Sequence, residues 1–215
     1  MNKQNPLTRL ALAAALAMAA QGAWAQSEIK IGYNSDMSAS GSADFGVSAL
    51  SGARQAAEEI NAAGGVLGKK IVIVPRDDVG SPPKSIQNAN ELVDNEKVVA
   101  MLGGVNSGNM LAWLHIVQQK KIPTISPSAT ATEITNRYSK EPANYIFRVS
   151  MRDLDQITLL AAYAARATQN KKVAIIADTT GYGQQGAKDA AAVLQLHGIT
   201  PVSYTHLTLP TILLV

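Results

Sequence analysis

Two periodicities alternate along this chain, and that alternation limits the fold more than any single motif does. Short apolar runs are each followed by a longer segment with a helical stripe. Ile29 to Tyr33, Ile71 to Val74, Val98 to Leu102, Thr124-Ile125, Tyr145 to Arg148 and Val173 to Ala177 read as strands. Helices are expected over 46–62, 85–96 and 108–119, again after residue 148, and over 187–196. Val47, Leu50, Ala53, Ala57 and Ile60 share one stripe of the first, and Ile157, Leu160, Ala161 and Ala164 share one of the fourth. Gly64-Gly65 and Gly198 stand where helix C-caps favour glycine. Pro75 is expected to end the second strand, and 76–83, with two more prolines, to be a loop. Buried strands separated by helices require a parallel sheet covered on both faces. Right-handed crossovers then wind the sheet in both directions. Such sheets bind ligands in the crevice beyond the carboxyl ends of their strands. The loops to inspect are therefore 34–45, 76–83, 103–109, 126–136 and 178–186.

Residues 1–25 are expected to be a cleaved secretory signal rather than part of the fold. Lys3 and Arg9 make a positive start, Leu10 to Ala20 an apolar run of 11 residues, and Ala23-Trp24-Ala25 a small-x-small cleavage site. The run is too short to span a bilayer, which takes about 20 apolar residues. The formal charge is +3, and two of those charges lie in the signal, so nothing points to nucleic acid. With no cysteine, disulfide staples, thiol redox chemistry and cysteine-based zinc sites are excluded. At the other end, 202–215 contains no Asp, Glu, Lys or Arg. Its first ten residues back-translate into a string resembling the transposon-end adapter of sequencing libraries. That segment is expected to be a non-native tail, excluded from the fold.

Gly103-Gly104-Val105-Asn106-Ser107-Gly108-Asn109 lies between a strand and a helix start. Ser107 or Asn109 suits the helix cap, and free amides beside a hydroxyl suit a carboxylate. Taken alone, the loop is also accounted for by an ordinary capped turn. Ser126 to Thr132 follows the neighbouring strand and is dense in small hydroxyl residues. Two such loops at adjacent strand tips favour an anion or a zwitterion. Asp77-Asp78 has the residue type for a cation, but such pairs more often orient their own loop. Gly181 to Gly186 fits G-x-G-x-x-G, yet Asp178-Thr179-Thr180 separates it from the strand, against the dinucleotide pattern. Tyr182 would then reach from a glycine loop to cover a ligand. His115 and His197 sit in or at the end of helical patterns, and no nucleophile elbow or histidine–carboxylate spacing is present.

Several segments together resemble the leucine/isoleucine/valine-binding protein family, the type I periplasmic solute-binding proteins of ABC transporters. They are Ile29 to Gly32 with Asp44-Phe45-Gly46, Gly52 to Gly65, Asp77-Asp78, Pro127 to Ala131, and Tyr182-Gly183. The resemblance covers about 28–201. It implies an α/β fold of two doubly wound parallel-sheet lobes, the N-terminal lobe over 26–147 and part of the C-terminal lobe over 148–201. It implies that Ser107 hydrogen-bonds a ligand α-carboxylate. Ser128, through its backbone, and Thr130 would hold the carboxylate and the α-ammonium group. Phe45 would lie against the ligand side chain, and Tyr182 would contact it from the second lobe. The family's acidic partner for the ammonium group lies further along the second lobe than this chain reaches.

The expectation is a monomeric, periplasmic, non-enzymatic protein without metal or cofactor. It would capture a branched-chain amino acid or a similar amino-acid or amide solute by hinge closure and present it to ABC permease subunits. An extracytoplasmic sensor with the same lobes is the alternative, and an oxidoreductase using Gly181–Gly186 a remoter one.

Overall fold

In a computed structural model of the chain, the described residues are 28–39, 41–167, 172–201 and 203–207. The expected signal, and 202 and 208–215 of the expected tail, lie outside them. β-branched and aliphatic residues form β1 (Ile29–Ser35), β2 (Ile71–Asp77), β3 (Ala100–Gly103), β4 (Thr124–Ser126) and β5 (Ile146–Arg148). They make one all-parallel sheet in the order β2-β1-β3-β4-β5. The crossovers include α1 (Ala43–Ala62), α2 (Pro82–Asn90), α3 (Ser107–Lys120) and a single turn, α4 (Glu133–Asn136). From β1 the chain steps outward to β2, then passes back over β1 to β3. Right-handed crossovers in opposite directions put α1 on one face and α2 with α3 on the other. The order reverses between β1 and β3, so the crevice opens at their carboxyl ends.

The main core lies under α2 and α3. Met110, Trp113, Leu114 and Val117 of α3 are wholly buried against Leu92, Met101, Ile134 and Ile146. A smaller second cluster joins Ala161 of α5 (Asp153–Ala167) to Val193 and Leu194 of α6 (Gly181–Leu196) and to Ile199. Between these helices runs β6 (Ala174–Asp178), paired in parallel with β7 (Ser203–Leu207).

Three expectations are corrected. Pro75 does not end β2, which continues to Asp77 with Pro75 opposite Tyr33. β2 is an edge strand, where a missing amide costs no ladder bond. Pro82 and Pro83 open α2 rather than closing the loop, because the first turn of a helix leaves its amides unpaired. The last turn of that helix widens over Glu91–Asn95, where Glu96 N donates to Glu91 O at 3.0 Å. Finally, 203–207 is not outside the fold. Tyr and Thr favour extended backbone, and the segment follows Gly198 and Pro201 back to β6.

Candidate functional site

The floor of the crevice is a buried polar layer. The Asp78 carboxylate accepts from Ser85 Oγ at 2.8 Å, Asn109 Nδ2 at 2.8 Å and Gly80 N at 3.0 Å. Asn34 at the tip of β1 donates to Ser85 O at 2.9 Å, and Asn88 donates to Asn34 Oδ1 at 3.2 Å. Burial pushes the Asp78 carboxyl above its ordinary range, with Asp36 adding to the push, against hydrogen bonds from Ser85, Gly80 and Asn109. Asp77 spends its oxygens on Met37 N, Val79 N and the Ser38 hydroxyl. Burial pushes its carboxyl up, but those three bonds outweigh it and the net direction is down. Asp36, Asp77 and Asp78 bring carboxylate oxygens within 4.8 Å of one another. Asp36 bonds within its own loop and Asp77 to that loop and its own, whereas Asp78 bonds to Gly80 in its loop and to Ser85 of α2 and Asn109 of α3.

Above this floor, the loops after β3 and β4 meet. Gly103 and Gly104 have φ of 153° and 79°. A Cβ on Gly103 would lie 2.3 Å from Asn34 O, and one on Gly104 would lie 2.4 Å from Met110 Cβ. Asn106 caps α3, its side chain accepting from Gly108 N at 2.9 Å. The expected caps, Ser107 and Asn109, are not used in that way. Asn109 is drawn off by Asp78, and Ser107, 1% exposed, turns its hydroxyl to the next loop and accepts from Ala131 N at 3.2 Å.

That next loop has its carbonyls tied down. Ser126 Oγ and Ser150 Oγ donate to Ala129 O at 3.2 and 3.0 Å. Arg148 clamps Thr130 O and Ala131 O at 2.9 and 2.8 Å. Asp153 N also donates to Thr130 O, at 2.8 Å. The amides alternate: Ala129 N donates to Gly104 O and Ala131 N to Ser107, whereas no acceptor among the described residues faces Ser128 N or Thr130 N. Amides without an acceptor beside engaged carbonyls suit an anion. Burial pushes the Arg148 guanidinium down, partly offset by Asp153, and the positive charge stays beneath the loop.

The start of α6 faces these loops. Gly108 and Gly181 touch backbone to backbone: a Cβ on Gly181 would lie 2.5 Å from Gly108 Cα. Beside them a cavity of about 260 Å³ is lined by Gly80, Asn106, Asn109 and Thr180. Tyr182 is the second residue of α6 and is 46% exposed. It lines a cleft of about 400 Å³ with Asp153, Gln156 and Ile175. Burial, then Asp153 and Asp178, raise its phenol. A larger depression of about 790 Å³ runs along α6 past Gln184 and Ala191, away from every expected ligand residue.

Ser107, Ser128 and Thr130 thus lie on two loops that hydrogen-bond to each other, and Tyr182 follows Gly181 at the facing helix start. Gly181–Gly186 is not a loop but the first turns of α6, which corrects the picture of Tyr182 reaching from a glycine turn. Gly183 fits against Asp178, where a Cβ would lie 2.4 Å from its carbonyl oxygen, so the helix begins close to the strand. Phe45 sits in the first turn of α1, 64% exposed, and it lines none of the three cavities above. The sequence reading missed Arg148 and Asp153. Their residue types gave no signal, because their roles depend on carbonyls and clefts formed by other segments.

Residues 28–211 match the family model described as periplasmic binding protein. An amino acid binding protein of Pseudomonas aeruginosa is 36% identical over 166 residues, 77% of this chain and 43% of the relative. The branched-chain amino acid transporter substrate binding protein LivJ from Streptococcus pneumoniae, solved in complex with isoleucine, is 28% identical with a TM-score of 0.70. The likeness covers 87% of this chain and 52% of LivJ. A solute binding protein of an ABC transporter from R. palustris, solved with 4-hydroxybenzoate, is 28% identical with a TM-score of 0.68, covering 84% of this chain and 47% of that one. The chain spans about half the length of these relatives.

Proposed function

This chain belongs to the periplasmic binding protein family, and from that premise we propose that it acts as the extracytoplasmic substrate-binding component of an ABC importer. Its solute is a branched-chain amino acid or a similar small amino acid or amide. One observation carries this reading. In the loop over 126–132 the Ala129, Thr130 and Ala131 carbonyls are engaged and the Ser128 and Thr130 amides have no acceptor among the described residues, next to the buried Ser107 hydroxyl. Such a surface favours a carboxylate, by charge-assisted hydrogen bonds. The curated relative and LivJ are named for amino acids, which supports the solute class.

The lobes divide near residue 147: one hydrophobic cluster runs up to Ile146, the other starts at the α5 segment. Tyr182 brings the second lobe to the solute, and closure between the Gly108 and Gly181 backbones retains it. Phe45 contributes an aromatic face at the crevice edge. Residues 1–25 direct export to the periplasm, where the closed form docks on permease subunits as a monomer. The role is capture without chemistry.

Ligand-observed NMR and calorimetry on the purified chain test this. Leucine, isoleucine or valine binds saturably, and Ser107→Ala and Thr130→Ala each weaken binding by roughly tenfold or more. Absence of saturable binding, or affinity indifferent to both substitutions, refutes the proposal.

A further inference from the structure

Thr132 stands directly before α4, where a hydroxyl ordinarily accepts from the amides of its own helix, and it makes no such bond. The residue is only 6% exposed, and its side chain is used elsewhere. Its Oγ1 accepts from Leu154 N at 3.1 Å and donates to Asp189 Oδ2 at 3.3 Å. Leu154 is the second residue of α5, and Asp189 lies midway along α6. One hydroxyl on the loop after β4 therefore bonds to both helices of the second lobe.

The start of α5 shows what that hydroxyl does. The first amides of a helix find no partner within it. Arg152, just ahead of α5, has no side-chain acceptor to offer them. The loop after β4 supplies the missing acceptors. Thr130 O takes Asp153 N at 2.8 Å and Thr132 Oγ1 takes Leu154 N, while Asp155 N and Gln156 N go to Arg152 O. The helix that opens the second lobe is thus capped by the loop that carries Ser128 and Thr130. Asp189 is oriented for its share, since Gln185 Nε2 donates to its other oxygen at 2.9 Å.

We propose that Thr132 is a positioning residue that couples solute capture on the first lobe to the helices of the second. A solute seated on the Ser128 and Thr130 amides stiffens the loop and with it the cap of α5, and the cap in turn holds the loop in its binding shape. Thr132 acts through Leu154 and Asp189 and not by touching the solute. The assignment rests on the proposed capture at the Ser107–Thr130 crevice, and it deepens that reading by naming a residue that tunes the site from outside it.

The test uses the full 215-residue chain with leucine as the probe. In wild type, leucine slows hydrogen exchange at the Leu154 amide by more than at Tyr163, further along α5, a readout that needs no variant. Thr132→Val keeps the side-chain shape without the hydroxyl. It is expected to weaken leucine binding by roughly fivefold or more, and Thr132→Ser to restore it to within about twofold of wild type. In Thr132→Val, leucine affects Leu154 no more than Tyr163. Asp189→Ala weakens binding in the same direction, and combining it with Thr132→Val adds no further loss. Three results overturn the assignment and leave the capture reading intact: saturable binding with Leu154 no more affected than Tyr163 in wild type, a Thr132→Val chain that binds leucine as tightly as wild type, or losses that multiply in the double variant. A chain that binds no leucine overturns both.

Discussion

Ser107 serves two structural demands at once. Its hydroxyl accepts from Ala131 N and keeps a hydrogen to donate into the crevice. Ser107→Ala therefore loses more than a ligand contact, because it leaves a buried amide unpaired. We expect a loss of about 1–3 kcal/mol in unfolding free energy, read from urea denaturation. Asp77 gives a pH prediction. Its folded carboxyl lies below its ordinary value of 3.8. The stability it lends is present above that value and is lost as the pH falls through the lowered folded one. Hydrogen exchange should show the Met37 and Val79 amides losing protection in that acid range ahead of the main core. Both residues were picked out in the sequence, yet their partners were not. A hydroxyl next to a helix start reads as a cap until the neighbouring strand brings Ala131 within reach.

At the scale of elements, α3 and α6 start against each other through two glycines. A methyl group on Gly181 would overlap Gly108 Cα at 2.5 Å, and one on Gly108 would press on Gly181 Cα at 3.0 Å. Gly181→Ala should separate the two helix starts. Small-angle scattering should show a larger radius of gyration while the α2–α3 core keeps its protection; an unchanged radius would mean that the contact does not set the spacing. Asn106→Ala removes the one side-chain cap of α3 and should cost about 1 kcal/mol. The strand–helix alternation was legible because each strand is apolar and each helix striped. Helix starts were not: α2 began three residues earlier than the apolar pattern, since Pro82 and Pro83 suit a first turn.

For the whole molecule, the two hydrophobic clusters differ in extent. The first spans Ala89 to Ile146 and has Trp113, Met101 and Leu92 fully buried, while the second rests on Ala161, Val193, Leu194 and Ile199. Leu159, Leu160, Tyr163, Ile176 and Leu196 of the second unit are exposed. Unfolding should not be two-state. Native-state hydrogen exchange should show α5, β6 and α6 opening at lower free energy than α3, and a single shared opening energy would contradict this.

Pattern alone determined the class: apolar runs alternating with striped helices leave a parallel, doubly wound sheet as the way to bury both faces, and its strand tips as the place to bind. Local composition also marked the 103–109 and 126–132 loops. Tertiary structure decided which groups in those loops remain available. Whether a hydroxyl caps, pins or stays open depends on atoms tens of residues away. Burial then decides the outcome, because a polar group removed from water must find a partner within hydrogen-bond reach, and sequence order does not encode that distance.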